Sequence, residues 1–141
     1  MKYLLDTNVV SELMKPVPAP QVLQWIGSQR SSRELCITTV TVAEVLFGIE
    51  LLPRGKRRDS LLADAEAMFA DDFAGRLLPF DEAAARAFPE IAVNRRLRGR
   101  PISLFDAQIA AIARSHGALL VTRNSADFED CGIHLVNPWR D

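Results

Sequence analysis

Four acidic residues stand in apolar company that surface carboxylates usually avoid. Asp6 ends the run Lys2-Tyr3-Leu4-Leu5, and Glu44 lies inside Val40-Thr41-Val42-Ala43-Glu44-Val45-Leu46-Phe47. Asp106 lies inside Leu104-Phe105-Asp106-Ala107-Gln108-Ile109-Ala110, and Asp127 follows Ala118-Leu119-Leu120-Val121-Thr122. A carboxylate is seldom buried unless its charge is compensated. Four of them at the rims of apolar segments imply a common compensator, and a divalent cation is the natural one. Carboxylate oxygens are hard ligands that suit Mg²⁺ or Mn²⁺.

Taken singly, each acid also has a structural reading. Asp6 can cap a helix or close an Asx turn. Asp106 stands three residues after Ser103, the spacing of a capping box. Asp127 can start a helix, and Glu44 can sit in an ion pair with an arginine. Other chemistries are poorly supplied. His116 and His134 are isolated, and no Ser–His–acid or Cys–His set can be assembled around them. Cys36 and Cys131 lack metal-ligand spacing and read as reduced thiols. No glycine-rich phosphate loop is present.

The elements that must position these acids alternate. Strand patterns cover residues 2–5, 35–38, 76–80, 119–122 and 133–136. Helix patterns cover residues 9–14 with Asn8 as N-cap, 20–29 with Pro20 first, 40–52, 57–73, 82–98 and 104–116. The helix around Glu44 is apolar on all sides and is expected to be buried. Short apolar strands separated by helices predict an α/β fold with a parallel sheet covered on both faces. Such sheets place their sites beyond the carboxyl ends of the strands, where Asp6, Glu44 and Asp127 would gather.

With 141 residues, 48% of them hydrophobic and 25% charged, the chain reads as one soluble domain spanning residues 1–141. Its net charge of −1 creates no global attraction to nucleic acid, so basic patches must provide any. Of 17 lysines and arginines, most are arginine, which favours bidentate phosphate contact. They cluster at residues 54–58 and at Arg95, Arg96, Arg98 and Arg100, the second group just ahead of Asp106 and a candidate substrate-binding flank. No apolar run reaches the length of a membrane span and no signal peptide is evident, so a cytoplasmic location is expected.

The motifs occur in a telling order: Asp6-Thr7-Asn8 after the first strand, Glu44 on the third helix, Asp106-Ala107-Gln108-Ile109-Ala110-Ala111, and Thr122-Arg123-Asn124-Ser125-Ala126-Asp127-Phe128. That order closely resembles the PIN-domain ribonucleases, in particular the VapC-type toxins. The opening Tyr3 to Glu12 and the closing Asn137-Pro138-Trp139 resemble the FitB-like branch. The resemblance implies a three-layer α/β/α sandwich with a parallel sheet of about five strands. It implies a Mg²⁺- or Mn²⁺-dependent endoribonuclease whose catalytic, metal-holding positions match Asp6, Glu44, Asp106 and Asp127, leaving a 5′-phosphate and a 3′-hydroxyl. Auxiliary hydrogen-bonding positions match Thr7, Asn8, Thr122 and Asn124. Homodimerisation is implied, with RNA as substrate and a small antitoxin carrying a DNA-binding domain as partner. A non-catalytic PIN-like module that binds a partner or RNA is the alternative. An aspartate-nucleophile phosphatase is disfavoured because Asn8 stands where that chemistry wants a second Asp.

Overall fold

The computed structural model describes residues 1–29 and 31–141. Its sheet contains β1 (Tyr3–Leu5), β2 (Leu35–Thr38), β3 (Leu77–Leu78), β4 (Leu119–Val121) and β5 (Leu135–Val136), in the spatial order β3-β2-β1-β4-β5. Every pairing is parallel; Leu4 stands opposite Cys36 on one side and Leu120 on the other. The helices are α1 (Thr7–Leu13), α2 (Pro20–Gly27), α3 (Thr39–Glu50), α4 (Lys56–Ala67), α5 (Glu82–Leu97) and α6 (Leu104–Ser115).

Side chains alternate across a strand, so neighbouring residues feed opposite faces of the sheet. Leu4, Cys36 and Leu120 enter one core with Ile91 of α5 and Ile109 and Ile112 of α6. Leu5, Ile37 and Val121 enter the other with Val9 and Val10 of α1, Val22 of α2, Val45 and Ile49 of α3 and Ala65 of α4. Two apolar cores flanking one parallel sheet make the expected three-layer α/β/α sandwich. No helix among the described residues is long and apolar enough to cross a membrane.

Three local readings change. The first helix is capped by Asp6, whose Oδ1 accepts from the Thr7 amide, and Asn8 lies inside the helix. The long helix expected over 57–73 ends as α-helix at Ala67 and continues as a π-turn over Met68–Asp72; the wider turn seats Phe69 and Phe73 in the core. The α3 helix is not buried all round. Val40, Val45 and Ile49 face the cores, whereas Phe47 and Leu51 are 66% and 70% exposed. Pro89 does not break α5, although it removes one amide donor; Ala84 and Ile91, buried on either side of it, keep the helix seated.

Candidate active site at the sheet switch point

From β1 the chain builds outward through β2 and β3, then returns to place β4 on the other side of β1. The strand order therefore reverses between β1 and β4. In parallel sheets, that reversal opens a crevice beyond the strand ends. Asp6 is the first residue after β1 and Thr122 the first after β4. The backbone joins them, Asp6 N donating to Val121 O at 2.9 Å.

Asp6 is 5% exposed. Thr122 Oγ1 donates to its Oδ2 at 2.8 Å, and Asn8 Nδ2 donates to the same oxygen at 3.2 Å. The Thr7 amide donates to Oδ1 at 2.8 Å. Burial nonetheless dominates and pushes the Asp6 carboxyl up to about 6; the Thr122 and Thr7 hydrogen bonds oppose this, while repulsion from Asp106 and Glu44 adds to it. No arginine or lysine answers this carboxylate among the described salt bridges.

The other acids converge from separate elements. Thr38 caps α3 by accepting from the Thr41 amide, which orients the first turn of the helix that carries Glu44. Thr7 Oγ1 donates to Glu44 Oε1 at 2.7 Å and lies 3.0 Å from Thr41 Oγ1. Among the described residues no ion pair forms at Glu44; a hydroxyl from α1 holds it instead. Ser103 caps α6, setting Asp106 in the first turn with its amide bonded to Ser103 Oγ at 3.2 Å. Burial raises the Asp106 carboxyl above the ordinary carboxylate range, and Asp127 and Glu44 add repulsion. Asp127 lies exposed on a 3₁₀ turn, Ser125–Phe128. Of the auxiliary positions, Thr7, Asn8 and Thr122 engage through their side chains, and Asn124 through its amide, donated to Thr122 Oγ1. Thr41 and Ser103 complete the scaffold; only the S/T-x-x spacing ahead of each helical segment hinted at them.

Among the described residues, no three or more His, Cys, Asp or Glu side chains are gathered closely enough to hold a metal ion as they stand. Burial, and after it repulsion between the acids, raises Asp6 and Asp106. A hydrated Mg²⁺-type ion keeps several waters and takes only one or two carboxylates directly. The donor set, all oxygen and without an answering cation among the described residues, fits such an ion and not a dry thiol or imidazole site.

The expected arginine flank dissolves on inspection. Arg95 is 4% exposed. Its Nε donates to Arg100 O at 2.7 Å, and its Nη1 to Asp127 O at 2.6 Å and Glu129 O at 3.1 Å. It is a buried clamp between the end of α5 and the turn that bears Asp127, not a free cation on the surface. Arg98 and Arg100 are paired with acids that follow that turn, Arg98 with Asp130 at 3.6 Å and Arg100 with Glu129 at 2.7 Å and with Asp130. Arg96 alone of the four stays on the surface without an ion pair among the described residues. One further carboxylate escaped the sequence reading. Glu12, 6% exposed, accepts from Lys15 Nζ and the Ala19 amide, which hold it below its usual range, and it fixes the α1–α2 loop.

Residues 3–132 match the family model described as PIN domain. The chain belongs to the PIN-domain family. This PIN domain is 42% identical to the plasmid stability protein StbB of Pseudomonas syringae pv. tomato, over 96% of this chain and 97% of that one. It is 40% identical to the VapC ribonuclease Y4jK of Sinorhizobium fredii, over 96% of each. The fold is that of FitAcB from Neisseria gonorrhoeae, with a TM-score of 0.90, 35% identity and 99% of both chains covered.

Proposed function

We propose that this PIN domain is a divalent-metal-dependent endoribonuclease, the toxin of a toxin–antitoxin pair working in the cytoplasm. The observation that carries the reading is Asp6. It is buried at the switch point, has no answering cation among the described residues, and is repelled by Asp106 and Glu44 from two other elements. A protein keeps such an arrangement when a ligand supplies the missing charge. The names of the relatives, a plasmid stability protein and a VapC ribonuclease, support RNA as substrate and a stability module as context.

Asp6 and Asp106 would hold the ion directly. Glu44, oriented by Thr7, would hold it directly or through water, and Asp127 would act from the exposed side of the crevice. Mg²⁺ or Mn²⁺ bound there supplies a Lewis acid for the phosphoryl oxygens and lowers the pKa of water. Thr122 and Asn8 donate to Asp6 Oδ2 and the Thr7 amide to Oδ1, which keeps the carboxylate in one orientation. An ionised carboxylate would accept the proton released as water bonds to phosphorus; the P–O3′ bond breaks and the departing 3′ oxygen takes up a proton, leaving a 5′-phosphate and a 3′-hydroxyl. Phe47, Leu51, Leu97, Leu104 and Phe105 are all about half exposed or more. Phe47 and Phe105 line, with Ala43 and Glu44, a slot of 570 Å³ beside the acids. That apolar rim suits a protein partner, a second copy or an antitoxin segment.

The test is digestion of total RNA by the purified protein in Mg²⁺, in Mn²⁺ and in excess chelator. Cleavage should require the ion and leave 5′-phosphate ends. Undiminished cleavage in chelator, or none in either ion, contradicts the reading.

A further inference from the structure

A nuclease needs cations for its substrate backbone, and of the cluster before Asp106 only Arg96 is exposed and without an ion pair among the described residues. Arg95 is spent on carbonyls, and Arg98 and Arg100 on acids. Two other arginines stand on the site's open side. Arg123 and Arg140 line a shallow pocket of 310 Å³ together with Asn124, Ser125, Asp127 and Asn137. Both are exposed, and neither enters an ion pair among the described residues.

Arg123 is built into position. Its guanidinium lies over the Trp139 ring, 5.0 Å from the centroid. Its amide donates to Asn8 Oδ1 at 3.2 Å, and its carbonyl accepts from Asn137 Nδ2 at 3.3 Å. Asn137 Oδ1 in turn accepts from the Trp139 amide at 2.9 Å, so the Asn137-Pro138-Trp139 turn is folded beneath the arginine. A long cationic side chain normally loses rotamer freedom on binding. Stacking on an indole removes much of that loss beforehand and leaves the planar N–H fork available for phosphate oxygens. Asn8 also donates to Asp6 Oδ2, which ties the arginine's backbone to the buried acid.

We propose that Arg123 and Arg140 form a backbone subsite that takes a phosphodiester of the RNA strand flanking the scissile one. The subsite rests on the ribonuclease reading for its ligand. Neutral Asn124 and Ser125 beside the two cations offer hydrogen bonds without sequence selection, as a backbone contact requires. Asp127 at the same rim opposes an anion that arrives without metal, so the two arginines are needed most before the ion binds.

The experiment is fluorescence anisotropy of a labelled, unstructured RNA oligonucleotide titrated with the full chain in chelator, repeated across a salt series. Each phosphate contact to a single strand contributes about 0.7 to the slope of log affinity against log salt. Arg123→Ala and Arg140→Ala should each weaken binding and flatten the slope by about that amount, whereas Arg98→Ala and Arg100→Ala should leave the slope unchanged. With metal added, the first pair should raise KM with little change in kcat. Wild-type slopes in both Arg123→Ala and Arg140→Ala, a slope lost instead with Arg98 or Arg100, or no RNA binding by the wild type overturns the subsite. Arg140 is exposed near the chain end, so its variant reports even if Arg123→Ala disturbs the Trp139 turn. Binding is read without cleavage. RNA bound through these arginines but never cut would sink the nuclease reading alone. Cleavage with unaltered slopes would sink the subsite alone.

Discussion

Thr122 Oγ1 donates to Asp6 Oδ2 at 2.8 Å, joining residues 116 positions apart across the gap where the sheet reverses its order. Neither side chain is exposed, so the bond acts in a weakly screened setting and fixes the orientation of the carboxylate. Thr122→Val keeps the shape and removes the donor. It should destabilise the metal-free protein by about 1–3 kcal/mol, because a buried acceptor loses its partner. It should also weaken Mn²⁺ binding by roughly tenfold, as loss of a ligand-orienting hydrogen bond commonly does. Chemical denaturation and Mn²⁺ titration followed by electron paramagnetic resonance measure the two effects. Unchanged Mn²⁺ affinity would mean that Thr122 does not orient a ligand.

The raised Asp6 carboxyl makes metal-free stability depend on pH. Its folded value, about 6, lies above the unfolded one, so the folded state holds the extra proton between them. Stability from this group is therefore greatest below the unfolded value near 4 and falls as pH rises to about 6, by at most ~3 kcal/mol. A bound cation reverses the trend, since it prefers the ionised acid. Melting in chelator should show the acidic-side gain as a contribution to the pH profile that Asp6→Asn removes. The Mn²⁺-induced rise in Tm should be larger at pH 7.5 than at pH 5.5. A metal shift independent of pH would contradict the assignment.

Arg95 offers a separate test of what the basic cluster does. Arg95→Met keeps much of the volume but frees three carbonyls, including that of Asp127. Burying unanswered acceptors should lower stability by several kcal/mol, on the order of 1–3 for each group that water cannot reach. Arg95→Lys keeps the charge but not the fork, and should fall between. Arg96→Ala, on the surface, should change stability by no more than about 0.5 kcal/mol. Denaturant midpoints decide this; equal midpoints for the Arg95 and Arg96 variants would return Arg95 to the surface role that the sequence suggested.

The alternating pattern of strands and helices was legible because each strand is short, apolar and flanked by helix signals: Leu35–Thr38 is buried throughout and reads as a continuous apolar run. The acids at the strand ends followed from the same topology. What could not be read was the hydrogen bonding that only tertiary contact creates. Thr7 serving Glu44, and Thr41 beside both, join side chains more than thirty residues apart. Arg95 misled because an arginine run looks alike whether its members face water or carbonyls. The α3 helix misled in the opposite sense, since an apolar face awaiting a partner has the same composition as one facing a core.

That exposed face carries its own prediction. Phe47→Ser with Phe105→Ser should leave the fold intact, because both rings are largely in water in the isolated chain. Self-association should weaken, read by light scattering behind size exclusion. An unchanged mass across a concentration series would place the partner contact elsewhere.

The most direct measurement is Mn²⁺ binding and RNA cleavage by Asp6→Asn and Asp106→Asn beside the wild type. The account predicts folded variants by circular dichroism, Mn²⁺ affinity lowered at least tenfold, and RNA cleavage abolished. Full cleavage by either variant, with Mn²⁺ held as tightly as in the wild type, would contradict it.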